Sequence, residues 1–127
     1  MGLDIVCDCG EIGFRAGSYS GFGDWRELLA RSMGIILGEM WGFGGDTMWH
    51  LGIEFVELFD HSDCDGELSH EECTRLKDDF DTMRHPFVEA VSALCTGVDA
   101  EYYIEKYDLW REAVRHCADI SCKLVFC

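Results

Sequence analysis

Basic side chains are scarce in this 127-residue chain, where 10 Lys and Arg stand against 25 Asp and Glu for a formal net charge of −15. That balance speaks against direct binding to nucleic acid or to an anionic membrane surface, because both associations neutralise phosphates with Lys and Arg. Long apolar runs are missing as well, and none reaches the length that spans a bilayer. The eight cysteines, at 7, 9, 64, 73, 95, 117, 122 and 127, lack the two-residue spacing of zinc knuckles, and no signal peptide is read at the start. Reduced thiols in a cytoplasmic protein are therefore expected, rather than a disulfide framework. Neither N-myristoylation nor C-terminal prenylation finds its motif.

What is present suffices for one domain over 1–127, since 48% hydrophobic and 13% aromatic residues can build a core at this length. Residues 3–7 alternate, with Leu3, Ile5 and Cys7 on one face, and read as a short strand. Cys7 and Cys9 form a C-x-C pair with metal binding as one reading, but alternation puts both sulfurs on one face and favours packing. Residues 10–23 (GEIGFRAGSYSGFG) suit a second short strand or an irregular loop. Asp24 with Glu27 reads as a capping box for a helix over 24–37 closed by Gly38. The glycine-rich stretch MWGFGGD at 40–46 lacks the Lys-Ser/Thr of a P-loop and reads as a packed loop.

A second helix is expected up to Phe59, and a third opens on Ser69 and Glu72 and stops before Pro86. Phe87, Ala90, Val91 and Leu94 carry the helical period on to Gly97. Asp99 then caps a long helix with Tyr103, Tyr107, Trp110, Val114 and Cys117 on one stripe. Residues 122–127 alternate again, with Leu124 and Phe126 on one face, and a terminal strand there pairs beside the first. The fold class is α+β: a small antiparallel or mixed sheet that includes both chain ends, packed by several helices.

The densest chemistry lies at 59–73, FDHSDCDGELSHEEC. With Gly66 at the sharp turn of an EF-hand loop, Asp63, Asp65, Ser69 and Glu72 fall on its third, fifth, ninth and twelfth positions. The first ligand position falls on His61, whose nitrogen suits zinc or manganese better than calcium. The candidate metal ligands are thus His61, Asp63, Asp65, Ser69 and Glu72, with Cys64 as a softer addition, for a divalent ion among calcium, manganese and zinc. The competing reading makes Asp63 and Asp65 the braces of a tight turn and Ser69 the cap of the next helix.

Five separated pieces resemble an uncharacterised family of small bacterial and phage proteins: the MGLD start, SYSGF at 18–22, GFGG at 42–45, HSDCDGEL at 61–68 followed by EEC, and a C-terminal helix leading into a short strand. The resemblance implies that the focal loop begins at His61. It brings no catalytic residue with it.

Two functions are expected. One is a small acidic binding protein with an EF-hand-like metal loop at 61–72. The alternative is a phage or bacterial inhibitor that binds a basic, nucleic-acid-handling protein by imitating the charge of DNA, using acids such as Asp78, Asp79, Asp81, Glu89, Glu101 and Glu105. His50, His61, His70 and Cys64 show no nucleophile and base at a recognisable spacing, so an enzyme is not the reading taken.

Overall fold

A computed structural model describes residues 2–41, 43–48, 53–59, 61 and 65–127. Strand β1 (Gly2–Cys7) buries Leu3, Ile5 and Cys7, the three residues that alternation places on one face. It pairs antiparallel on one side with β2 (Gly13–Ser18) and on the other with β4 (Leu124–Phe126). A two-residue strand, β3 (Glu67–Leu68), completes the order β2-β1-β4-β3, so an antiparallel sheet carries both chain ends at its centre. The fold is α+β, as the sequence predicts.

The first helix, α1 (Tyr19–Arg31), starts earlier than Asp24. Ser18 is its cap, its hydroxyl accepting the Gly21 N–H at 2.9 Å. The earlier start lets Phe22 join Trp25, Arg26 and Leu29 on the buried stripe, and the added apolar burial outweighs the capping chemistry of Asp24. The helix closes through the 32–34 turn, where Ile35 N–H returns to Ala30 O, ahead of the expected Gly38. In the glycine-rich loop Met40 is buried and Trp41 exposed; Trp41 bridges to Gly45, where a Cβ would collide with the Glu39 backbone.

Phe55 sits at φ 64, outside helical space, and only the single turn α2 (Val56–Phe59) follows it. The upstream half of the predicted helix, at 49–52, lies outside the described residues.

Helix α3 (His70–Leu94) runs through Pro86 instead of stopping before it. A proline inside a helix costs about 3 kcal/mol through its lost N–H and its ring. Here the buried residues Cys73, Leu76, Phe80, Phe87 and Val91 keep helical spacing across the proline, so breaking the helix would expose half of one continuous stripe. Helix α4 (Gly97–Ile120) begins after Thr96 at the cap position, three residues before Asp99, and lies against α3. Arg84 holds Asp108 with two hydrogen bonds, at 2.8 and 2.9 Å, and Arg111 and Arg115 both reach Asp81 at 2.8 Å.

Between helices and sheet lies a core rich in aromatic rings, in which Trp25 and Trp110 stack 5.7 Å apart and Phe22 stacks on Trp110 at 5.5 Å. Among the described residues, no helix is long and apolar enough to cross a membrane.

Candidate metal centre

Antiparallel pairing of β1 with β4 sets Cys7 opposite Leu124. The end of β1 and the start of β4 therefore lie side by side, and every residue just beyond them is drawn to one corner. Asp8 N–H donates to Lys123 O at 3.0 Å, and Lys123 N–H donates to the Asp8 carboxylate at 3.2 Å, which tie the two loops together. Beyond Cys7 the chain turns tightly, with Gly10 N–H bonded to Cys7 O at 2.9 Å. At the other end α4 stops on Ser121 in the left-handed conformation, and Cys122 N–H folds back to Cys117 O at 3.0 Å. Cys122 is thereby returned toward Cys7.

The C-x-C pair does not behave as strand packing throughout. Cys7 is the last residue of β1 and is buried, whereas Cys9 lies in the turn and is exposed. Their sulfurs nevertheless meet at 3.1 Å, because the turn bends Cys9 back over the strand end. The Sγ atoms of Cys7, Cys9 and Cys122 all lie within 4.8 Å of one another. A second group shares Cys9: its Sγ is 3.3 Å from Nε2 of His116, on the last turns of α4, and His116 Nε2 is 3.7 Å from a Glu11 carboxylate oxygen. Each group of three, one of sulfurs alone and one of a sulfur, an imidazole and a carboxylate, is close enough together to hold a metal ion.

The ligand chemistry is that of a borderline or soft cation. Thiolate sulfur and imidazole nitrogen suit zinc and copper(I), whereas calcium and magnesium take oxygen. A tetrahedral zinc site with bonds of about 2.3 Å to sulfur and 2.0 Å to nitrogen separates two sulfurs by about 3.8 Å and a sulfur from a nitrogen by about 3.5 Å. The Cys9 to His116 separation is close to that edge. The Cys7 and Cys9 sulfurs need to part by several tenths of an ångström, a small adjustment for an exposed turn residue.

Electrostatics sort the sulfurs by depth. The neighbouring Cys7 thiol and the Glu11 backbone N–H, at 3.4 Å, stabilise a thiolate on Cys9 and lower it to about 7. Burial pushes Cys7 up to about 12, and burial followed by the Asp8 side chain does the same to Cys122. Cys117 and Cys73 carry the thiol series into the core, where burial raises them to about 11 and about 12, and the Cys117 thiol donates to Lys123 O at 3.6 Å. A cation held here would supply the positive charge that favours the thiolate forms of Cys7 and Cys122.

The residues expected to ligate a metal at 61–72 are otherwise engaged where they are described. Ser69 caps α3, its hydroxyl accepting Glu72 N–H at 3.2 Å, and the Glu72 carboxylate turns back to accept Ser69 N–H at 3.0 Å. His61 stacks on the Phe126 ring with centroids 4.0 Å apart, and its Nε2 is 3.1 Å from Glu67 O. Its carbonyl accepts a 2.9 Å hydrogen bond from buried Arg26. Gly66 occupies the turn with φ 97, and Asp65 is exposed. Asp63 and Cys64 lie outside the described residues.

The acidic residues named for a partner surface are interspersed with bases. Asp81 is shared by Arg111 and Arg115, Glu89 pairs with His85, and Asp79 accepts the Phe55 N–H. Glu101 and Glu105 are exposed on α4.

No protein-family model matches the chain, and neither a curated protein nor a solved structure matches it. Function is argued from the site itself. Sequence reasoning missed Cys122, His116 and Glu11 as site residues; the signal that pointed to them was the expected pairing of the two terminal strands, which places the segments flanking positions 7 and 124 together.

Proposed function

We propose that this protein binds a thiophilic transition-metal ion, zinc being the divalent candidate, through Cys7, Cys9 and Cys122, with His116 as the nitrogen donor beside Cys9. The observation that carries the reading is the convergence of three sulfurs within 4.8 Å, two from the end of β1 and its turn and the third from the distant link between α4 and β4. Ordinary core packing accounts for a buried Cys7. It does not account for an exposed Cys9 in contact with both Cys7 and His116.

The charge of the chain supports the same function, since a net charge of −15 raises the local concentration of cations. Exposure of Cys9 and Glu11 leaves one side of the site open, which suits a metal that exchanges with solution more than a closed structural site. The 61–72 loop is the competing location. It receives less support, because Ser69 and Glu72 satisfy each other as a helix cap and His61 is committed to Phe126 and Glu67.

Titration of the reduced protein with zinc in competition with a chromophoric chelator tests the reading. One equivalent is expected to bind, with at least tenfold weakening in Cys9→Ser and in Cys122→Ser and no change in Asp65→Asn. Retained binding in both cysteine variants, with loss in Asp65→Asn, would move the site to the loop.

A further inference from the structure

We infer that Cys7 and Cys9 are a redox pair, with Cys9 as the thiol that meets the oxidant and Cys7 as the thiol that resolves it into a disulfide, so that oxidation removes two sulfur ligands and releases the metal. The second half of this inference rests on the metal reading; the first does not.

Contact geometry carries the argument. The two sulfurs are 3.1 Å apart, inside van der Waals contact, and a disulfide bond of about 2.0 Å requires roughly one further ångström of approach. Cys9 is exposed and on a turn, so it can both reach a small oxidant and supply that movement. Cys7 is buried at the end of β1, closed to solvent yet already against Cys9. The other sulfurs are less well placed: Cys122 comes to Cys9 from a distant segment and lies within 4.8 Å of it, whereas Cys117 and Cys73 are buried. The turn that links the pair is tied by the Gly10 to Cys7 hydrogen bond, so little chain entropy opposes closure.

With hydrogen peroxide as the oxidant, the Cys9 thiolate attacks one peroxide oxygen and the O–O bond breaks. Hydroxide leaves and is protonated to water, and Cys9 becomes a sulfenic acid. The Cys7 sulfur then attacks the Cys9 sulfur, the S–O bond breaks, and the departing hydroxide takes the Cys7 proton as a second water. Two thiols and one peroxide thus give one disulfide and two waters. Neither sulfur of a disulfide is a thiolate, so a metal held by Cys7, Cys9 and Cys122 would keep one of its three sulfurs.

The test treats the full-length, metal-free protein with hydrogen peroxide, blocks remaining thiols by alkylation, and maps the cysteines by proteolysis and mass spectrometry. A peptide carrying Cys7 and Cys9 lighter by two hydrogens, restored by dithiothreitol, is the expected result; it should be lost in Cys9→Ser and kept in Cys127→Ser. A Cys9 to Cys122 disulfide, a Cys9-linked dimer, or a Cys9 left free to alkylate would overturn the pairing. In a parallel arm the protein is first loaded with zinc. Slower disulfide formation together with zinc release is expected, and full retention of zinc by the oxidised protein would overturn the coupling. Disulfide formation in a protein whose reduced form binds no zinc would remove the metal reading while leaving the redox pair standing.

Discussion

The Asp79 carboxylate accepts a 3.1 Å hydrogen bond from the backbone N–H of Phe55, a residue held at φ 64 with its ring fully buried. A bulky side chain in left-handed backbone is strained by about 1–2 kcal/mol, and the Phe80 ring, 4.9 Å away edge to face, holds it there. Half-burial keeps Asp79 charged at a cost: desolvation, with Glu57, Glu54 and Asp78 adding negative charge, raises it from 3.8 to about 6 despite the Phe55 hydrogen bond.

The sign of the resulting pH dependence follows from proton binding. Between about 4 and 6 the folded protein holds a proton on Asp79 that the unfolded chain has lost, so this group contributes stability at low pH and loses that contribution as pH rises through about 6. Asp79→Asn removes the titration while keeping an oxygen acceptor for Phe55. Its stability relative to wild type should rise across that window and level off above it. Urea unfolding at a series of pH values measures the difference, and a flat difference would contradict the assignment.

Ser121 closes α4 at φ 59, the other described non-glycine residue with positive φ. Ser121→Gly relieves the strain without touching a side chain of the site. A gain of about 1 kcal/mol is expected, read as a higher urea midpoint with unchanged slope. A fall in midpoint would show that the serine side chain contributes more than its backbone strain.

Gly66 and Gly44 have similar backbone, at φ 97 and φ 102, but different surroundings. An added Cβ at Gly66 meets the His61 ring at 3.2 Å, whereas at Gly44 it meets nothing within 4 Å. Gly66→Ala should therefore be less stable than Gly44→Ala by about 1 kcal/mol, the lower end of overpacking costs. Equal losses would mean that His61 moves aside freely, and with it the stacking on Phe126.

The fold was largely legible in the sequence because its signals are local. Alternation at Leu3, Ile5 and Cys7 and at Leu124 and Phe126 marks two strands that read as neighbours in one sheet. Helix boundaries were less legible where two signals compete. Ser18 and Asp24 both have capping chemistry, and the choice is made by Phe22, whose burial against Trp110 depends on tertiary structure. Pro86 marks a break in isolation, yet Phe80 and Phe87 on either side share one core.

The cysteine cluster was hidden for a different reason. Cys9 and His116 are 107 residues apart, and the C-x-C pair that Cys9 forms with Cys7 reads in sequence as strand packing. Pairing of the terminal strands is readable, but its register, Cys7 opposite Leu124, is not, and a shift of one residue turns each side chain to the other face. The acidic loop at 61–72 drew attention because its residues are adjacent in sequence. In Ser69 and Glu72 that adjacency is the chemistry of a helix cap.

Cobalt(II) substitution tests the sulfur-rich metal centre most directly, because a thiolate bound to cobalt gives a near-ultraviolet charge-transfer band that oxygen ligands do not. Reduced wild-type protein titrated with cobalt(II) should develop that band to one equivalent, Cys9→Ser should lose most of its intensity, and zinc should bleach it. A cobalt complex without the band, or a band that Cys9→Ser leaves intact, would contradict the account.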